Sequence, residues 1–525
     1  MHSKVTGFSM SFHSLAGLGA LHRSFPNWRM RNRIPEGMHR RFRLVRSPPL
    51  CYPPTHMAAT PALKRGIRFR DLALFYVVVA LNVRWTSAAA AAGPSILVIW
   101  LAALTCFFIP LSASVMELSS RHPEEGGIYV WTRRAFGDFT GFIAAWMYWM
   151  SNLAFFASVL YFGAASVLIP FGSRADALNQ SPFYFMAFAT LWLTIIVVLN
   201  IRGVDSGKWL NNICSVGSLV PLALLIVMAA VSWRKFGSAT HFTAATLTPQ
   251  LSIDNAVFWS GVFFAFCGIE AGSAMGDEIQ NPRKTIPWAI LVGGIVITAG
   301  YIGGTAALLV ALPSDAVSGL QGFVNGVHAL SDRLGLGWVV IPIALLVGVN
   351  TVGSTAANLS STSRLPFVAG IDHYLPPVFG SIHPRYRTPW VAIAVYGAAS
   401  VLVAILGQAG TTVRGAYNVL VSMAVISNFI PYLLLFAAMI KLQNEPTGPS
   451  VRRVPGKKPV AILLALVGLT ATTTTIVLSL FPGADQPNKA LAVFKVVGAT
   501  LAQLGLGIAI FTAERRRSRR NTVNA

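Results

Sequence analysis

Apolar residues come along this chain in long runs divided by short polar segments. Twelve of the runs approach 20 residues, about the length at which an α-helix crosses the hydrocarbon core of a bilayer. In lipid every backbone N–H and C=O must find its partner inside the protein, so each run is predicted as a membrane-spanning helix. The predicted spans cover residues 72–92, 96–116, 141–169, 183–200, 211–231, 256–275, 288–312, 338–358, 389–406, 416–440, 459–481 and 490–512. The fold class expected is therefore an all-α membrane protein with a twelve-helix domain over 66–513, flanked by basic tails at 1–65 and 514–525.

Composition sharpens this. Of 525 residues 54% are hydrophobic and 11% charged, against roughly 25% charged in a soluble protein. So few charges cannot cover a soluble surface. A net charge of +23 would suggest nucleic acid in a soluble chain, but here the basic residues sit between the apolar runs and at both ends, with no aromatic-interleaved basic face. They read instead as topology signals. With Lys64 to Arg70 inside, the inner segments from residue 57 onward hold 24 of the 41 Lys and Arg and the outer loops 6; residues 1–56 hold 9, and Arg84 and Lys495 lie within spans. Both termini are expected in the cytoplasm, in a plasma or inner membrane. Residues 1–56 contain no apolar stretch that would make a cleavable signal. Met57 offers a second natural start, so this segment reads as an extension of the reading frame or a dispensable tail, the alternatives being an Arg-rich targeting segment or a disordered basic arm near anionic lipid. Cys51, Cys106, Cys214 and Cys267 imply neither a disulfide framework nor a metal cluster. No metal and no cofactor is expected.

Two spans carry polar interruptions: "ALNVRWTSAA" at 80–89 in the first and "FAFCGIEAGSA" at 264–274 in the sixth. Each holds an ionisable residue, Arg84 and Glu270. Such a side chain at mid-membrane costs about 2.5 to 3.5 kcal/mol on insertion scales, so it needs a partner or a role. For Arg84 the readings are a strut between helices or a contact for a carboxylate; for Glu270, a hydrogen-bonded linker, a proton carrier or an amine contact.

Three polar segments then carry a family resemblance: "ELSSRHPEEGGIYVWTRRAFG" at 117–137, "GDEIQNPRKTIPWAI" at 276–290 and "SRLPFVAGIDHYLPPVFGSIHPRYRTP" at 363–389. Together, in this order, they resemble the amino acid-polyamine-organocation superfamily of secondary transporters, across nearly the whole chain after the basic tail. The resemblance implies two inverted five-helix repeats, about 72–231 and 256–440, with two peripheral helices over 459–512, and a first and a sixth helix broken near mid-membrane. It implies a secondary active transporter of an amino acid or related amine working by alternating access, by proton symport or by exchange, and no enzyme. Substrate-binding residues would be Arg84, Trp85, Thr86, Ser87, Tyr148, Asn152, Phe266, Cys267, Gly268, Ile269 and Glu270. Trp146 of the third span and the Asn350, Asn358 and Asn418 amides are further polar or aromatic candidates.

Two features depart from the family pattern. Arg84 to Ser87 replace a glycine-rich break, and Ser218 stands where proton-coupled members carry a lysine. Arg84 could then supply, near the first and eighth spans, the positive charge that lysine or sodium supplies elsewhere. The rival is a sodium site formed by Ser218 with Thr351, Ser354 or Thr355. Arg84, Glu270 and Ser218 are thus the coupling candidates, with H⁺ expected as the ion and Na⁺ as the alternative. Arg121, Glu124, Glu125 and Glu278 are candidates for a cytoplasmic gate, pairing with Arg283, Arg364 or Arg385. A polyamine carrier would want several carboxylates in its cavity, and only Glu270 lies at that depth. An enzyme would want a nucleophile and base, paired carboxylates or metal ligands near a membrane face, whereas the ten His form no ligand-spaced pair and there is no phosphate loop. A non-transporting membrane receptor is the remaining alternative. The partners expected are a small amino compound and the lipid bilayer, with no nucleic acid.

Overall fold

The computed structural model describes residues 65–523 apart from 318–319, 409–411, 447, 449–450 and 481–488; the expected tail over 1–65 lies outside the described residues except for Arg65. The Asn418 side chain lies outside them as well. Among the described residues there is no strand, only an isolated bridge between Ile67 and Ile279.

The first apolar run becomes two helices, α1 (Phe69–Ala80) and α2 (Arg84–Ala90), bent by 40° at a three-residue break. Next come α3 (Ile96–Arg121), the short α4 (Ile128–Phe136) and α5 (Asp138–Leu168). In α3 a widened π-turn over Leu104–Phe108 precedes Pro110, which has no N–H to give to the preceding turn. α6 (Pro182–Arg202) and α7 (Val204–Phe236) follow.

The sixth run is interrupted as expected. α8 (Ile253–Ala265) stops at the FCGIE segment, and the chain continues as a 3-10 turn over Ala271–Glu278. Beyond it lie α9 (Pro282–Ala311), α10 (Gly322–Leu334), α11 (Val340–Thr362), the short α12 (Arg364–Ile371), α13 (Trp390–Gln408) and α14 (Val413–Leu442). α15 (Lys457–Ser479) and α16 (Lys489–Val523) close the chain, so the expected basic tail from 514 onward is helical through Val523. Ten described helices are each long and apolar enough to cross a bilayer, and the bent pair α1–α2 adds an eleventh. The broken sixth run forms no continuous helix of that length among the described residues.

Burial orders these helices. α5 is buried along most of its length and packs between α14 and α11, whereas α6 and α16 sit at the periphery. α1 packs against α9, α7 and α11. The segment before α1 is strapped to the end of the sixth run: the Gly66 and Ile67 amides donate to the Glu278 carbonyl, both at 3.0 Å, and the Gln280 amide donates to the Ile67 carbonyl at 2.9 Å. The two interrupted elements are thus tied together at the face that carries the basic loops.

Candidate functional site

An interrupted helix in a membrane leaves backbone groups that only protein can satisfy. Here one side chain serves both breaks. The Tyr301 hydroxyl of α9 lies between the Ala80 carbonyl of the first break and the Ala265 carbonyl of the second, the latter at 3.0 Å, and accepts from the Asn82 amide at 3.3 Å. Asn82 Oδ1 accepts from the Arg84 amide at 3.2 Å, which starts α2. At the second break Gly268 has φ +114°, and a Cβ there would meet Val79 Cγ1 at 2.8 Å, so the two breaks approach as only glycine permits.

Between the breaks lies a small cavity. Its walls include Trp85, Tyr148, Asn152, Cys267, Gly268 and Glu270 of the predicted set. About 30 Å³ is open to the centres of water-sized molecules, room for one or two waters and too tight for an amino acid. Glu270 is 2% exposed. Its Oε1 accepts from the Tyr148 hydroxyl at 2.5 Å and its Oε2 from the Gly268 amide at 3.0 Å, so the carboxylate folds back over its own break. Asn152 Nδ2 donates to the Tyr148 carbonyl at 2.9 Å and Asn358 Nδ2 to the Ser354 carbonyl at 2.9 Å. Each amide thus gives one donor to helix backbone, and both residues line the cavity.

The other predicted residues take different places. Arg84, 1% exposed, lies behind the cavity wall: Nη1 donates to Ser158 Oγ at 2.9 Å, and the guanidinium carbon sits 4.6 Å from the Trp85 ring and 4.9 Å from that of Phe155. Tyr417 of α14 and Tyr301 of α9 are its other polar neighbours, and the hydrogen bond to Ser158 runs to the third span. Thr86 and Ser87 turn their hydroxyls to the Val83 and Arg84 carbonyls, at 2.6 and 2.8 Å, which binds them into α2. Phe266 packs edge-on against Trp100 and Tyr301 behind the breaks, and Ile269 is wholly buried. Trp146 donates to the Gln503 carbonyl of α16, away from the cavity. Ser218 accepts from Asn350 Nδ2. Thr351 and Thr355 donate to carbonyls of their own helix, at 2.7 and 2.8 Å, while Ser354 Oγ is buried without a hydrogen bond.

The predicted gate residues separate into two groups. Arg364 Nη2 pairs with Glu278 at 2.8 Å and its Nε lies 4.0 Å from Glu125, all three almost fully buried. Glu125 Oε2 also accepts from the Asp277 amide at 3.0 Å. This cluster joins the loop before α4, the end of the sixth run and the start of α12. Burial and the neighbouring Glu278 hold the Glu125 carboxyl well above the usual range, with Arg364 pulling the other way. Gly127, at φ +43°, lies so close to Ser273 that a Cβ would come within 2.4 Å of its Oγ, which presses the loop onto the sixth run. Arg121 takes another partner. It pairs at 2.6 Å with Glu117, one turn back on α3, and reaches Gln443 at the end of α14 at 3.2 Å. Glu124 is exposed.

Several contributors escaped prediction. Ser151, Phe155, Phe264 and Asn428 line the cavity, and Ser151 donates to Asn428 at 3.0 Å. Asn428 stands in an apolar run three residues before Pro431, the same signal that singled out Asn418. Tyr301 and Glu117 carry no such signal, because their partners lie on distant segments.

The fold and this site define a membrane protein of many helices with two interrupted spans meeting around a buried carboxylate. The amino acid permease family model matches residues 72–502, and the chain belongs to that family of membrane transporters. Among its relatives are an uncharacterized transporter of Legionella pneumophila, 26% identical over 82% of this chain and 93% of the relative, and the branched-chain amino acid permease BcaP of Bacillus subtilis, 26% identical over 75% and 84%. The probable agmatine/putrescine antiporter AguD of Lactococcus lactis is 24% identical over 70% of this chain and 78% of its own length.

Proposed function

We propose that this permease moves an amino acid or a related amine across a plasma or inner membrane by alternating access, with the cavity between the two breaks as the passenger's site, and that it catalyses no chemical reaction. The observation that carries this reading is Glu270, the one carboxylate among the described residues of the cavity wall, held by Tyr148 and the Gly268 amide on a wall shared with Asn152 and Asn358. An anion in lipid is stable only when paired, so Glu270 holds either the passenger's ammonium group or a proton. Trading one for the other couples transport to protons or, with a second amine in place of the proton, to exchange. A polycation would want a second carboxylate, so a passenger with one amine fits better than a polyamine, despite the antiporter among the relatives. Arg84, one residue row behind Trp85, supplies a fixed positive charge for the passenger's carboxylate once Trp85 swings aside, and stands in for a coupling cation.

The test is uptake by the purified chain in proteoliposomes against a panel of amino acids and amines, with and without sodium and proton gradients. Saturable uptake indifferent to sodium is expected. Strict sodium dependence would transfer the coupling role to the Ser354 side of α11, and the absence of saturable flux for every compound would leave a receptor as the reading. Counterflow with internal substrate and no gradient separates exchange from symport.

A further inference from the structure

A second cavity, of about 360 Å³, opens at the face of the molecule that carries the basic loops, far larger than the space between the breaks. That volume falls within the range of about 300 to 1,000 Å³ found for ligand sites. One wall is the aromatic start of α5: Phe142, Trp146 and Trp149. A second is α12 and the turn after it, through Leu365, Ala369 and Phe379. The third is the last helix, which contributes Ile510, Ala513 and Glu514.

The last helix also shows what the cavity suits. Residues 510, 513 and 514 follow one helical stripe, and the next position on that stripe is Arg517, with Arg515 and Arg516 in the same turn of the helix. All three arginines are exposed and the apolar span ends at Arg517. The carboxylate at the mouth, Glu514, lies 3.9 Å from Arg517, which offsets its charge. Arg515 also faces Asp138 at the start of α5. An apolar chamber thus opens at the end of a membrane span onto a cluster of cations. A molecule that matches it has a hydrocarbon tail and an anionic head.

We propose that this cavity is a binding site for an anionic phospholipid, with an acyl chain between α5, α12 and α16 and its phosphate at Arg515 to Arg517. The arginines attract the headgroup and the aromatic wall receives the chain, so neither part alone makes the site. The occupant touches α12 just past Arg364, the cation of the buried gate cluster.

Native mass spectrometry of the full chain in detergent, titrated with phosphatidylglycerol and with phosphatidylcholine of the same acyl chains, tests this. Retention of phosphatidylglycerol is expected to exceed that of phosphatidylcholine by roughly fivefold for each arginine engaged, the attraction of a basic side chain for an anionic membrane surface. Replacing Arg515, Arg516 and Arg517 together by Gln should remove the preference while leaving weak binding of both lipids. Ala513→Phe, an exposed change that fills the chamber, should reduce binding of both lipids with the chain still folded by circular dichroism. Equal retention of the two lipids by the wild type, or unchanged binding by Ala513→Phe, would overturn the proposal. So would a dimer signal lost in Ala513→Phe, since a second copy would then be the occupant.

Discussion

Glu270 and Tyr301 divide the labour at the breaks, and substitution separates them. Glu270 is the carboxylate proposed to meet the passenger; Tyr301 hydrogen-bonds backbone at both breaks. Glu270→Gln keeps the size of the side chain and loses the anion. A charge-assisted hydrogen bond contributes about 1.5 to 3 kcal/mol, so ligand affinity is expected to fall roughly 10- to 100-fold, read as the loss of ligand-induced thermal shift. Unchanged affinity in a folded variant would remove Glu270 from the site. Tyr301→Phe should act differently. It takes the hydroxyl from the Ala265 carbonyl in a wholly buried place, at about 1 to 3 kcal/mol for an unsatisfied group, while the Asn82 amide keeps its bond to the Ala80 carbonyl at 3.0 Å. The expected result is a lower melting temperature of the unliganded protein, with the ligand-induced shift preserved.

At the scale of elements, the cluster of Glu125, Glu278 and Arg364 holds the loop before α4, the sixth run and α12 in one arrangement. Removing one partner of a buried ion pair costs about 3 to 5 kcal/mol because the other charge stays behind. Arg364→Gln is therefore expected to open the basic-loop side, detected as faster labelling of a cysteine placed at Ser273, where the wild-type background reacts slowly. The pH dependence follows from Glu125. Its carboxyl is raised when the cluster is closed, and hydration on opening returns it toward the ordinary range. The closed form therefore binds the extra proton. Closure is unpenalised below the usual carboxylate pKa and is progressively disfavoured as pH rises toward the raised value. Labelling at Ser273 should accelerate with rising pH, and Glu125→Gln should flatten that profile. A flat wild-type profile would sink the assignment.

For the whole molecule, the distribution of Lys and Arg sets the orientation. Since 24 of the 41 lie on one set of loops from residue 57 onward and 6 on the other, both ends of the chain should face the cytoplasm. An epitope at the C-terminus is expected to be reached by antibody only after cells are permeabilised; staining of intact cells would reverse the topology. Arg515 to Arg517, at the end of the last apolar span, are then expected on that same side.

Span positions, the two interruptions and the residues Arg84 and Glu270 were legible in the chain, because a bilayer imposes a length on apolar runs and a cost on every charge within them. Those rules act on local sequence. Partnership does not: Arg84 turned toward Ser158 of the third span, Arg121 toward Glu117 instead of a gate carboxylate, and Thr86 and Ser87 toward their own backbone. Each of these choices depends on which helix lies alongside and at what rotation, a matter of packing among segments hundreds of residues apart. The amino-acid order determined that this is a membrane-embedded helical protein with two weak points carrying opposite charges. Only the tertiary structure decided that Glu270 faces the cavity while Arg84 stands behind its wall, because close packing allows a single arrangement of side chains around each buried charge.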